Sequence, residues 1–514
     1  MQREPKDSVL IATHLLASLR RALIALALLL VAVGGFAFAE EAVVTPETVP
    51  VAPGPPPSQH EQILSPIPPQ FDWMRREVRP NPLLEGLLEL RERPGRLLMS
   101  VSLTEEYSDN FFLSERNRED EYRTAVSIGT VYRLESGRSF LSLANTISAD
   151  YAARSELSNL GFANLSLNTG YQLPRLSLSL SESFIRSNNV EEVSPAVIRA
   201  TRRTVLSNSV SPQVRYDLTR TTAVNLAYTN TIVRNEHTEQ PATDTLAQGG
   251  GASGNSVSNA FTTGLQHWFT RALSSTVNYS FSSVDSDESG TTQSHTASTD
   301  LTYLLSARTS TSLQAFGTIT DRSAGEPDSR LYGASMGMRR QLTPSLAAFV
   351  TIGPTVLERE GRGTRVLPNL QANLDGSLPL TRRTTLTFSA GQSIRNTVGE
   401  VDDVGVVLNQ SANLALSHAV SRDLQTSLLA GYTRTELLED TRTCESGQGR
   451  QVNSWIAGAR ISYALTRRLS FAVNYGYQHR DSNVPSSNFN QCQFGTNFDE
   501  NRVTVSLTAA FPVF

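Results

Sequence analysis

Leu469-Ser-Phe-Ala-Val-Asn-Tyr-Gly-Tyr477 is the stretch on which the fold turns. Large apolar residues occupy every second position, with small or polar ones between them. Successive side chains of a strand point to opposite faces, so this segment has one apolar and one polar face. Leu273-Ser-Ser-Thr-Val-Asn-Tyr-Ser-Phe281 and Leu386-Thr-Phe-Ser-Ala-Gly391 repeat the pattern. A two-layer sandwich has the same period, but it must bring its apolar faces together in a core.

The connections favour another architecture. Tight-turn signals of nearly constant chemistry recur: Leu134-Glu-Ser-Gly-Arg138, Leu173-Pro-Arg175, Leu218-Thr-Arg220, Phe269-Thr-Arg271, Leu305-Ser-Ala-Arg308, Leu342-Thr-Pro344, Leu380-Thr-Arg382, Val420-Ser-Arg422 and Leu465-Thr-Arg467. The alternate connections are longer and rich in Gly, Asp, Glu and Asn, as in Glu236 to Asn255 or Glu439 to Arg450. Short turns on one side and long loops on the other mark an outer-membrane barrel with periplasmic turns. Nine turns join eighteen strands. One more strand precedes the first loop near Arg96 to Tyr107, and one follows the last, Glu500 to Phe514. The expectation is an all-β transmembrane antiparallel barrel of twenty strands, with eighteen as the alternative count. An even number closes the sheet, which matters because an open edge is unsatisfied in hydrocarbon.

Composition agrees. The 514 residues have a mean hydropathy of −0.24, 18% charged residues and a net charge of −4. A polytopic helical protein needs several apolar runs of about 20 residues; one short run is present, Ala22 to Val33. A sequence pI near 6.1 offers no obvious basic face for nucleic acid. Arg20 and Arg21, the apolar run and Ala37-Phe38-Ala39 form a secretory signal peptide over 1–39. Residues 40–95 hold half of the prolines and read as an extended periplasmic leader, with a short amphipathic helix over 82–93 carrying Leu83, Leu84, Leu87, Leu88 and Leu90. Glu47-Thr-Val-Pro-Val51 resembles an energy-coupling box, but the leader is too short for the folded plug of such transporters. The barrel is expected over 96–514.

Parity assigns the outward face: Leu141, Leu143 and Ile147; Leu165, Leu167 and Tyr171; Val224, Leu226 and Tyr228; Phe471, Val473 and Tyr475. Glu182 falls in phase with Leu176, Leu178 and Leu180, which predicts a bulge there or a place at the extracellular rim. Val503, Val505, Leu507, Ala509, Phe511 and Val513 run one residue out of phase with Phe514, which predicts a slip at Pro512.

Inward positions are hydroxyls and amides such as Asn164, Ser166, Asn168, Asn369, Gln371 and Asn373. Side chains this small cannot fill a barrel this wide, so the lumen is expected to hold water. Arg215, Arg339 and Arg460 point inward with Asp217, Asp300 and Asp375, a mixed-charge wall suited to a nearly neutral hydrophilic passenger. These charges could equally do no more than satisfy one another. Neither catalysis nor a cofactor is expected. His267 and His418 adjoin turns, while His237, His295 and His479 are loop or rim residues without an adjacent serine or carboxylate motif, and no metal-ligand motif occurs. Cys444 and Cys492 fall in the last two long loops and are expected to form one disulfide in an oxidising compartment.

The first hairpin runs through Glu106-Tyr107-Ser108-Asp109-Asn110-Phe111-Phe112 and returns through Glu119-Asp120 to Tyr122 and Thr124. It resembles the opening of the β-barrel porins found with exopolysaccharide and exosortase gene clusters, with Tyr107, Asp109 and Asn110 as the motif residues. The resemblance implies passage of a secreted polysaccharide across the outer membrane. Phe514 suggests the sorting signal read by the barrel-assembly machinery, and outer-membrane lipid and lipopolysaccharide would surround the barrel. Leu83 to Leu90 is the candidate either to enter the lumen as a gate or to dock the periplasmic polysaccharide-export component that goes with the resemblance. Without the resemblance, Asp109 and Asn110 read as a loop-start turn bonding nearby backbone. A general diffusion porin and a blocked structural or adhesive barrel are the rival functions.

Overall fold

The computed structural model describes residues 96–514 except 112, 114–117, 154–157, 188–203, 237–254, 288–289, 324–327, 344–345, 361–362, 382, 397–405, 439–450, 483–496 and 514. The signal peptide, the leader, Leu83 to Leu90, Cys444, Cys492 and Phe514 lie outside the described residues. The chain divides into two units, Met1–Pro69 and Gln70–Phe514, and every described residue belongs to the second.

Twenty strands follow one another. They are β1 Arg96–Ser108, β2 Glu121–Ser136, β3 Ser139–Ala152, β4 Ser158–Gln172, β5 Leu176–Ser187, β6 Thr204–Asp217 and β7 Thr222–Glu236. β8 Ser256–Trp268, β9 Leu273–Ser286, β10 Gly290–Ser306, β11 Thr309–Arg322, β12 Ser329–Thr343, β13 Leu346–Arg359 and β14 Gly363–Thr381 continue the series. β15 Thr384–Asn396, β16 Val406–Ala419, β17 Leu424–Leu437, β18 Gln451–Ala464, β19 Leu469–Ser482 and β20 Phe498–Pro512 complete it. Each strand pairs antiparallel with its sequence neighbours, and β20 pairs with β1 from Arg502↔Ser108 to Pro512↔Leu98. The sheet is a closed up-and-down ring, so no edge is left to face hydrocarbon. Among the described residues no helix is long and apolar enough to cross a membrane; the strands cross it.

Exposure alternates along the strands and fixes the two faces. On β13, Ile352 is 64% exposed while Thr351 beside it is 3%. Ile147, Tyr171, Leu226, Tyr228, Phe471 and Tyr475 are exposed on the outside. Register keeps that face continuous from strand to strand, as in Leu143↔Leu167, Tyr228↔Phe261↔Phe281 and Tyr475↔Val503. Buried apolar side chains form only small clusters among the described residues, such as Leu331, Leu357 and Leu438. The large apolar surface therefore faces outward, where a bilayer covers it.

The recurrent turn chemistry has a local cause. The hydroxyls of Thr219, Thr270, Ser421 and Thr466 accept backbone N–H groups two residues on, at 3.1–3.2 Å. Thr270, Ser421 and Thr466 also accept the N–H three residues on. The short polar side chain thus reinforces a turn that the backbone also closes, as in Thr466 N–H to the Leu469 carbonyl at 3.0 Å and Ser421 N–H to the Leu424 carbonyl at 3.1 Å. Gly137 supplies the positive φ (47°) of the β2–β3 turn.

Two sequence expectations fail here. β5 carries no bulge at Glu182, which pairs with Leu167 and Val210 in unbroken registers, and it sits mid-strand rather than at the rim. The alternation simply runs through it, leaving a carboxylate on the outward face. Nor does Pro512 shift the last strand. Proline lacks an N–H, but the ladder continues past it, with Val513 N–H donating to the Leu97 carbonyl at 2.8 Å.

The β14–β15 ladder is the shortest in the ring. Its register pairs stop at Ser377↔Thr387, and beyond them Gln392 Nε2 donates to the Pro368 carbonyl at 3.4 Å.

Candidate functional site

The inner wall is the candidate site. Its exposure changes along the barrel axis. Near the long loops, inward residues such as Ser108, Glu121, Val205, Thr320, Asn409 and Arg480 are buried. Near the short turns, Arg133, Glu135, Gln213, Arg215 and Ser417 are exposed.

The predicted wall charges all lie in the turn-side half of their strands. Arg215 Nε meets Asp217 Oδ1 at 3.3 Å and its Nη1 reaches Gln266 Oε1 at 3.5 Å. Both members of that pair are exposed, so water screens it. Asp300 accepts a hydrogen bond from Thr302, and its Oδ2 has no partner. Arg339 and Arg460 hold inward register positions opposite Phe349 and Asn474. Asp375 stands opposite Ala347. Apart from Arg215 and Asp217, the structure brings none of Asp300, Arg339 and Arg460 together.

A second group, which sequence reasoning missed, lies inward near the loops. Arg123 bridges Glu106 at 3.0 Å and Asp150 at 3.4 Å. All three side chains are largely buried, and Ser108 Oγ donates to Glu500 Oε1 at 2.7 Å beside them. Parity places each of these charges inward, but pairing them requires the registers Glu106↔Arg123 and Arg123↔Ala152. Desolvated charges of this kind persist only when matched.

The motif residues sit at the closure of the ring. Asp109 accepts hydrogen bonds from the backbone N–H and from Nδ2 of Asn501, both at 2.7 Å. Asn110 is fully buried, and its Nδ2 donates to the Asp499 carbonyl at 2.9 Å. The rings of Tyr107 and Tyr122 lie 4.8 Å apart, tilted by 38°. The expected local turn is thus the minor part. Asp109 and Asn110 clasp the first strand to the last, across 389–392 residues of sequence.

The histidines carry one correction. His479 does have a carboxylate beside it: its Nδ1 bonds Asp499, which also accepts from Arg118 at 2.9 Å and from Tyr477 at 3.2 Å. The β19–β20 register, not sequence adjacency, supplies it. Of these groups, His479 and Tyr477 line an apolar groove of about 540 Å³ together with Phe388, Leu414, Tyr432 and Trp455. His267, His295 and His418 bond Thr222, Tyr279 and Thr384. Among the described residues no group of His, Cys, Asp or Glu side chains could hold a metal ion.

A closed ring with an apolar outside and a polar inside is the geometry of a membrane pore. Residues 314–509, from β11 into β20, match the family model described as Putative beta-barrel porin 2. The chain is a porin-like barrel of the bacterial outer membrane. No curated protein matches it in sequence. Solved structures it is similar to include Pseudomonas aeruginosa OpdO, at 13% identity over 82% of this chain and 98% of that one, with a TM-score of 0.38. Acinetobacter baumannii OccAB3 shows 9% identity over 81% and 99%, at 0.36. The outer membrane protein opdK of Pseudomonas aeruginosa shows 11% over 81% and 99%, at 0.35. Likeness at these scores adds nothing to what the barrel itself establishes.

Proposed function

We propose that this barrel is the outer-membrane exit for a secreted exopolysaccharide. The observation that carries the proposal is the make-up of the inner wall. Hydroxyl and amide side chains dominate it, and its strongest charges are matched to one another, as in Arg123 with Glu106 and Asp150. A sugar polymer offers many weak hydrogen bonds and little charge, so it can slide along such a wall without being held at one point. The hairpin motif of Tyr107, Asp109 and Asn110 supports the same passenger through the family it resembles. On this view 1–39 is a removed signal peptide and 40–95 a periplasmic leader that meets the export machinery. No bond is made or broken in the process.

Deleting the gene tests the proposal. The expected result is loss of surface polysaccharide with unchanged uptake of small solutes. Normal polysaccharide with impaired solute uptake would instead make the protein a general diffusion porin. Planar-bilayer recordings with and without 40–95 address the third reading, because absence of current in both forms would mark a structural barrel.

A further inference from the structure

The short turns and the long loops carry opposite charge. Between strand ends, the nine turns hold ten arginines and one carboxylate, Asp423. The ten loops hold twenty carboxylates and nine arginines. A net charge of −4 therefore averages over a polarity along the barrel axis, and the basic face that bulk composition hides is the periplasmic rim.

Eight of the nine turns contribute at least one arginine. Arg175, Arg220, Arg271, Arg308, Arg422 and Arg467 are exposed, and among the described residues none of the six forms an ion pair. The charges of the inner wall near the loops are paired; these are not. Two or three positions before each stands an exposed apolar residue: Leu173, Leu218, Phe269, Leu305, Val420 and Leu465. A large apolar side chain at the end of the lipid-facing wall, followed at once by an unpaired guanidinium, is the arrangement of a hydrocarbon–headgroup boundary. The guanidinium fork matches phosphate oxygens in geometry as well as charge.

We propose that the periplasmic turns form an arginine collar that binds the phosphodiester headgroups of anionic phospholipids in the periplasmic leaflet. The apolar partner at six of the arginine turns selects this occupant over a soluble polyanion, which would have no use for it. The collar fixes the depth of the barrel in the membrane, while the acidic loops repel the same headgroups from the opposite rim.

The test uses the full chain reconstituted in vesicles of phosphatidylethanolamine with or without phosphatidylglycerol. Lipid retention is read by native mass spectrometry and stability by the temperature at which the compact gel band converts to the extended one. Phosphatidylglycerol is expected to stay bound to the wild type and to raise its conversion temperature. Changing these six arginines to glutamine, which leaves Arg138, Arg382, Arg383 and Arg468 in the turns, is expected to reduce both effects sharply while leaving the conversion temperature in pure phosphatidylethanolamine unchanged. A single Arg220→Gln substitution should lower retention about five-fold, as the loss of one basic residue at an anionic surface implies; it keeps the test open if the sixfold variant fails to assemble. Equal retention by wild type and variants would overturn the collar. So would a preference for a soluble polyanion such as heparin over the anionic vesicles.

Discussion

The two ends of the barrel are built from the same strands, yet they hold charge in different ways. Toward the loops the inner wall is buried, and its charges are neutralised by partners on neighbouring strands, as around Arg123. Toward the turns it is exposed, and Arg215 meets Asp217 only through its own strand. Burial explains the contrast. A charge in water can stand alone or loosely paired at little cost, whereas a desolvated one must be matched.

The largest expected effect breaks that contrast directly. Arg123→Ala strands the carboxylates of Glu106 and Asp150 and should lower stability by about 3–5 kcal/mol. Arg215→Ala at the other end should cost no more than about 0.5 kcal/mol. The conversion temperature of the compact gel band compares the two, and equal shifts would erase the distinction. Next comes the clasp. Asp109→Ala removes a charged acceptor of two hydrogen bonds and should cost about 2–3 kcal/mol, read on the same gel. A loss confined to loop cleavage by protease, without a stability change, would reduce Asp109 to a loop residue.

Two smaller effects sharpen the picture. Glu182→Leu replaces a mid-strand carboxylate on the lipid-facing wall and should stabilise the barrel by up to about 2 kcal/mol in urea titrations in vesicles. Destabilisation would mean that another chain, not lipid, covers that face. Thr466→Val deletes the hydroxyl that accepts two turn N–H groups and should cost about 1 kcal/mol, seen as a modest fall in urea midpoint.

Strand count, closure and the outward face were legible in the sequence because period two and the Thr-Arg turns are local signals. β19 begins at Leu469 and β9 at Leu273, where the alternation begins. What was not legible depends on register. Glu106, Arg123 and Asp150 stand on three strands, and nothing in their local sequence says that they meet. His479 and Asp499 face each other only once β19 and β20 are aligned. Asp109 finds its partner at the far end of the chain, beyond the reach of any window. The basic rim was hidden for a different reason: a whole-chain average cancels arginines at one end against carboxylates at the other.

Closure of the first strand on the last carries the rest of the account, and Ser102 and Thr508 are register partners across it. In a chain whose native cysteines are serine, cysteines at 102 and 508 should oxidise to a disulfide in the outer membrane and keep the boiled, unreduced chain circular on a gel. A compactly migrating protein in which that pair stays reduced, while cysteines at 102 and 470 cross-link instead, would contradict the closed ring.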